Sequence, residues 1–169
     1  FLIAKDTNTV NILEAIDKMN YRGLPGYKGF IRYKDYNLCH VALPMIDPDP
    51  VIATQPIQFK KEPPSMFVGE IFNYNDLIER FKDKFVPQTT CDTELLSLLL
   101  DNYSYEEVFT NLIDSMHAIA WYDKLKNELV LSRDHAGIKP LYFELLKSGI
   151  IFSSEIKGLL NKVNTSTTI

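Results

Sequence analysis

Cys91 and Asp92 stand side by side at the head of the leucine-rich run ELLSLLL. A thiol at a helix N-terminus has a lowered pKa, which makes Cys91 a candidate nucleophile, although a structural cysteine is the commoner occupant of such a position. The histidines His40, His117 and His135 have no metal-ligand spacing and read as strand or turn residues. Gly69, in VGEIFN, lies between a strand-like run and a helical one. There it either offers a backbone N–H to a ligand or packs closely for want of a side chain. Taken alone, these residues make no persuasive active site.

The elements that would position them follow from periodicity. TVNILEAIDKM spaces Ile12, Leu13, Ile16 and Met19 as a helix, and YRGLPGYKG ends it. FIRYKDYNLCHVAL reads as two strands turning at Lys34 to Asn37, and the proline-rich PMIDPDPVIATQPIQFKKEPP admits only short edge strands. SMFVGEIF is strand-like. NDLIERFKDKF then puts Leu77, Ile78, Phe81 and Phe85 on one helical face, with Asn75 expected as the cap. Asp92 and Glu94 fall in the first turn of the next helix, where the dipole favours negative charge.

After SYEEVFTNLID come SMHAIAWYD, ELVLSRD, KPLYFELL and GIIFSSEI, read together as an antiparallel meander. In the first of these Met116, Ala118, Ala120 and Tyr122 alternate with Ile119 and Trp121, so both faces are apolar and the sheet is covered on both sides. Strands at both ends of the chain and helices between them predict α+β layers, two face-to-face sheets with helices outside. Gly137 permits the turn in SRDHAGIKPLYF, and Arg133 and Lys139 are placed to pair with Asp134 or Glu155. These residues are expected to maintain the fold; as a site, they would face a further domain.

Composition narrows the function. The 169 residues, 46% hydrophobic and 24% charged, suffice for one domain with a full core. A net charge of −4 without a basic stripe argues against a nucleic-acid partner. No apolar stretch approaches the roughly 20 residues of a membrane span, and no signal-peptide pattern is present. Cys39 and Cys91 are too few for a disulfide framework and lack C-x-x-C spacing. The expectation is a soluble, cytoplasmic protein with no metal and no cofactor.

The segments YRGLPGYKG, QPI, FVGEIFNYNDL, CDTELL, HAIAWYDKLKNELVLSRDHAGIKPLYF and GIIFSSEIKGL occur in the order and rough spacing of one family. The chain resembles the class II glutamine amidotransferase domain of asparagine synthetases over nearly its whole length. SRDHAGIKPLYF followed by FSSEIKGL is the most specific part. The resemblance implies the N-terminal-nucleophile fold, an αββα sandwich of two antiparallel sheets between helical layers. The domain is expected at 1–160, and the polar end NKVNTSTTI reads as a tail or linker at 161–169.

In that family a Cys-Gly-Ile precedes the residue that Phe1 resembles. Its cysteine attacks the glutamine side-chain amide with the chain's own α-amine as base. That cysteine is not written before Phe1, and the internal Cys39 and Cys91 have no such amine. The resemblance further implies a pocket at Ala42, Leu43, Val68, Gly69, Glu70 and Asp92. The family's carboxylate-gripping Arg falls at Ala42, and its oxyanion-stabilising Asn falls at Val68, before the Gly69 that supplies the second donor. The Asp that holds the substrate ammonium is kept as Asp92.

No arginine lies within two places of Ala42; Arg22 and Arg32 are the nearest candidates for a replacement grip. The expectation is therefore a domain degenerate for glutamine hydrolysis, acting as a binding or scaffolding module. Its partners would be glutamine or a related small molecule and a synthetase domain or protein. The alternative is an active glutaminase supplying ammonia to a synthetase, its N-terminal Cys missing before Phe1. The synthetase family's Ser-Gly-Gly-Leu-Asp nucleotide loop is not found, and no ATP site is expected.

Overall fold

The apolar residues of the strand Ser115–Asp123 go to two different cores, and that division organises the molecule. Ala118 and Ala120 join Leu38, Met66 and Phe152 in one cluster, whereas Ile119 and Trp121 join Phe67, Leu95 and Leu99 in another. The alternation in SMHAIAWYD predicts this, since successive side chains leave a strand on opposite faces.

The computed structural model describes residues 2–4, 12–24, 27–43, 55–57, 64–147 and 149–159. The tail expected at 161–169, Phe1 and most of the proline-rich segment lie outside them. The strands are β1 (Leu2–Ala4), β2 (Lys28–Tyr33), β3 (Tyr36–Val41), β4 (Ser65–Ile71), β5 (Ser115–Asp123), β6 (Glu128–Arg133), β7 (Tyr142–Leu146) and β8 (Gly149–Ser153). The helices are α1 (Ile12–Asp17), α2 (Tyr74–Phe81) and α3 (Asp92–Asn102), and a short turn at Tyr105–Glu107 runs on into a π-helical turn at Val108–Leu112. No helix among the described residues is long and apolar enough to cross a membrane.

One sheet has five strands in the order β2-β3-β1-β8-β7, the other three in the order β4-β5-β6, and all pairings are antiparallel. Leu38 and Phe152 of the first sheet meet Met66, Ala118 and Ala120 of the second, closing the space between them. On the outer face of the larger sheet, Ala15, Ile16 and Met19 cover Cys39 and Ile151. On the outer face of the smaller one, α2 and α3 bring Leu77, Phe81, Leu95 and Leu99 onto Phe67 and Ile119. The result is the αββα sandwich, each sheet apolar on both faces because each is covered twice.

Three local expectations are corrected. The four strands after residue 114 are not one meander: β5 and β6 form a hairpin in the smaller sheet and β7 and β8 one in the larger. The chain leaves β6 because its next N–H groups are spent elsewhere. The buried Asp134 carboxylate accepts from the backbone N–H of Ile138 (2.8 Å), Lys139 (3.0 Å) and His117 (3.2 Å), and Gly137 turns the loop at φ 68°. Asp134 is therefore a loop organiser held by backbone donors, not an ion-pair partner of the Arg133 or Lys139 side chain. Glu155 is likewise engaged elsewhere, by the Arg22 guanidinium and by the Tyr21 hydroxyl at 2.9 Å.

Asn75 lies inside α2, which starts one residue earlier. Asn73 precedes the helix, and its amide serves tertiary structure, donating to the Leu112 carbonyl (2.8 Å) and accepting from the Asp114 N–H (3.0 Å).

Candidate functional site

Strand β4 is the outer strand of the smaller sheet, so every second residue turns its N–H and C=O away from β5. The His117 N–H goes to Asp134 and its carbonyl accepts from the Asp134 N–H, which makes Gly69 and His117 a facing pair without mutual hydrogen bonds. Residues 65, 67, 69 and 71 therefore present their N–H groups along the free edge. Ser65 donates to the Ile57 carbonyl (3.0 Å), Phe67 to Gln55 Oε1 (2.7 Å), and Ile71 to the Asp92 carboxylate. Among the described residues, no acceptor takes the Gly69 N–H in the middle of the row.

Glycine is required at that place. A Cβ on Gly69 would stand 2.1 Å from the Met116 carbonyl oxygen, 2.8 Å from Phe67 Cζ and 3.0 Å from the His117 Cα. Of the alternatives drawn from VGEIFN, close packing holds, and the N–H faces outward. Next to it, Val68 turns its half-buried side chain into the layer between the sheets, with Met66 and Ala118. No polar side chain is thereby brought by position 68 to the Gly69 N–H. Glu70 is exposed.

Asp92 begins α3 at the end of the row. Burial pushes its carboxyl up to about 6, and the Glu70 carboxylate adds to this, against the stabilising backbone N–H groups of Thr93 and Ile71. The carboxylate is held by backbone donors. Cys91 does not have the lowered pKa of a nucleophile: burial raises its thiol, more than the helix N–H groups lower it. Glu94 is buried and accepts from the N–H of Gln88 (2.8 Å), the N–H of Thr89 (2.7 Å) and the Thr89 hydroxyl (2.6 Å), which folds the approach to α3.

Ala42 and Leu43 directly follow β3. Ala42 is buried directly after β3; its N–H donates to the Tyr27 carbonyl (2.9 Å) and its carbonyl accepts from the Leu24 N–H (3.1 Å), so it is sewn to the loop after α1. Leu43 is exposed. Of the two candidate replacement arginines, Arg22 is engaged by Glu155, and Arg32 is exposed on β2 opposite Asn37. Gly69, Glu70 and Asp92 thus lie together at the β4 edge, and Ala42 and Leu43 follow the end of β3 in the larger sheet.

Two residues gain significance only in three dimensions. Gln55, in the QPI string, ties the Phe67 N–H to the Thr93 hydroxyl, donating to the latter at 3.0 Å, and so locks β4 to α3. His40 shares the inward face of β3 with Leu38, is 5% exposed, and has no hydrogen-bond partner on either ring nitrogen. Burial holds it well below the usual histidine range, and the neighbouring Arg22 charge acts in the same direction. By contrast, His117 is satisfied by Ser115 (2.9 Å) and Ser132 (3.3 Å).

A family model for the glutamine amidotransferase domain matches residues 2–169. The chain belongs to that family. This glutamine amidotransferase domain is of class II and of the asparagine synthetase type. It is 33% identical to asparagine synthetase [glutamine-hydrolyzing] 2 of Oryza sativa subsp. japonica over 151 residues, 88% of this chain and 24% of that protein. It is 40% identical to asparagine synthetase [glutamine-hydrolyzing] 2 of Bacillus subtilis (strain 168) over 99 residues, 57% of this chain and 12% of that protein. The domain thus spans a quarter or less of these two relatives. Among solved structures it resembles glutamine phosphoribosylpyrophosphate amidotransferase from B. subtilis, complexed with ADP and GMP, with a TM-score of 0.59 and 17% identity over 74% of this chain and 29% of that one. That likeness speaks to the N-terminal-nucleophile fold.

Proposed function

We propose that this amidotransferase domain is degenerate for glutamine hydrolysis and serves as a binding or scaffolding module beside a synthetase. The observation that carries the reading is Val68, whose side chain packs between the sheets and leaves the Gly69 N–H without the amide neighbour that the family places there. Ala42 supports it, because a buried methyl held by the Tyr27 and Leu24 backbone offers no guanidinium to a substrate carboxylate.

The magnitudes are large enough to matter. Loss of one oxyanion donor costs about 10² to 10³ in rate. Loss of a charged hydrogen-bond partner costs on the order of 1.5 to 3 kcal/mol more in binding. Glutamine hydrolysis is expected to run several orders of magnitude below that of a competent relative, whatever precedes Phe1. The retained Asp92 and the outward Gly69 N–H favour a pocket that still receives an amino acid. They also support the second reading, an active glutaminase supplying ammonia to a synthetase.

Ammonia release from glutamine by the full-length protein decides between the two. The double variant Val68→Asn with Ala42→Arg is expected to raise kcat/KM if the native pocket is degenerate. Turnover by the unmodified protein at the rate of a competent relative would end the proposal.

A further inference from the structure

Strand β7 ends the larger sheet, and among the described residues no strand pairs with its outer side. Leu146 and Gly149 pair across only two intervening residues, so they exchange both hydrogen bonds of the hairpin, and bonded pairs alternate with unbonded ones from there. Tyr142, Glu144 and Leu146 therefore bond to β8. Phe143 and Leu145 turn their N–H and C=O groups to the free edge. Their side chains lie on the face that Phe152 and Ile150 turn toward the smaller sheet, but that sheet does not reach them: Phe143 is 61% exposed and Leu145 73%.

The other edges are protected. β2 carries the exposed charges of Lys28 and Arg32, β6 is bounded by the exposed Glu128 and Arg133, and β4 is covered by Ile57, Gln55 and Asp92. Charges and cover of this kind keep an edge from adding a strand. On β7 the one charge is Glu144, half-buried on the face opposite Phe143 and Leu145.

We propose that β7 is a dimerisation strand, which pairs antiparallel with the β7 of a second copy of this chain about an axis through Phe143 and joins the two five-stranded sheets into one. Register follows from charge. With Phe143 and Leu145 bearing the outward groups, the axis can lie at 143, 144 or 145. At 144 the two Glu144 carboxylates would face each other, and at 145 each Phe143 would face a Lys147. At 143 the two Phe143 rings meet, each Leu145 faces a Leu141, and each Glu144 faces a Tyr142 whose hydroxyl can donate to it. Pro140 does not interfere, because its missing N–H belongs to the side of β8 and not to the edge. Lys147 comes opposite Lys139 only past the last paired residue, where an exposed cation costs little. The inference goes beyond the amidotransferase reading and does not depend on whether glutamine is hydrolysed.

Sedimentation of the full-length protein over a micromolar concentration range tests the pairing. A dimer is expected, and Leu145→Lys, a charge at an exposed place on the edge, should raise its Kd at least about tenfold. Cysteine cross-linking provides a second readout and reads the register. Phe143→Cys should give a disulfide-linked dimer on mild oxidation, because a bonded antiparallel pair sets its Cα atoms about 5.5 Å apart. Leu145→Cys should not, since its copy stands four residues along the strand, more than about 13 Å away. The unaltered protein, with Cys39 buried and Cys91 half-buried, is the control. A monomer throughout the range, as when another part of the same chain covers β7, would overturn the proposal. So would a Kd moved less than about twofold by Leu145→Lys in a folded variant, or a Phe143→Cys variant that fails to cross-link.

Discussion

Gly69 and His117 face each other across β4 and β5 so closely that a Cβ on the glycine would stand 3.0 Å from the His117 Cα and 2.1 Å from the Met116 carbonyl oxygen. One residue thereby carries two duties: its missing side chain lets the sheet close, and its N–H is left on the outer edge. Gly69→Ala is expected to destabilise the domain by about 1 to 3 kcal/mol or more, since the obstructing atoms are backbone and have no rotamer to move into. Urea unfolding measures it; a loss below about 0.5 kcal/mol would mean that the strands are not so close.

Asp92 sets a pH dependence of a definite sign. Its folded pKa, about 6, lies above the unfolded value of about 3.9, so the folded state binds the extra proton. Its contribution is fully present below about pH 3.9 and is lost as pH rises through about 6, a change on the order of 2 to 3 kcal/mol. Asp92→Asn should therefore stabilise the ligand-free domain at pH 7 to 8 and flatten this part of the curve. Thermal melts across this range check it, and an unchanged slope would remove the buried carboxylate from the account.

Asp134 titrates the opposite way. Burial alone would raise its pKa, but the backbone N–H groups of Lys139, Ile138 and His117 outweigh burial and bring it down to about 2. Its stabilisation is present above the unfolded value of about 3.9 and is lost as pH falls through about 2. Asp134→Ala leaves three backbone donors without their acceptor and is expected to cost about 2 to 4 kcal/mol, with faster amide exchange at Ile138 and Lys139. Exchange unchanged at both amides would count against the carboxylate as the organiser of the crossing between sheets.

Glu94 offers a test confined to the entrance of α3. Glu94→Ala removes the acceptor from the N–H groups of Gln88 and Thr89, and a cost of about 2 to 3 kcal/mol is expected in chemical unfolding. If the role were only to complement the helix dipole, the loss would stay below about 1 kcal/mol.

The sequence by itself was enough for the layers and the family. Alternation in SMHAIAWYD and helical spacing in NDLIERFKDKF are local patterns, and each alone tells which face an element buries. SRDHAGIKPLYF carried the family likeness because it is a contiguous string. It did not disclose that its own Asp134 would draw the chain from one sheet to the other, since one donor on that carboxylate comes from the neighbouring strand β5 and two from beyond the turn.

The family likeness grouped Ala42, Leu43, Val68, Gly69, Glu70 and Asp92 as a pocket, but the backbone donor left open beside them could not be read along the chain. Which N–H of β4 is left over depends on register and on who occupies the edge: Gln55 takes one donor, Ile57 another and Asp92 a third, from segments far apart in sequence. His40 was passed over as a strand residue for the same reason. A histidine's meaning lies in its hydrogen-bond partners, and only the packing around the inward face of β3 left this buried ring without any among the described residues.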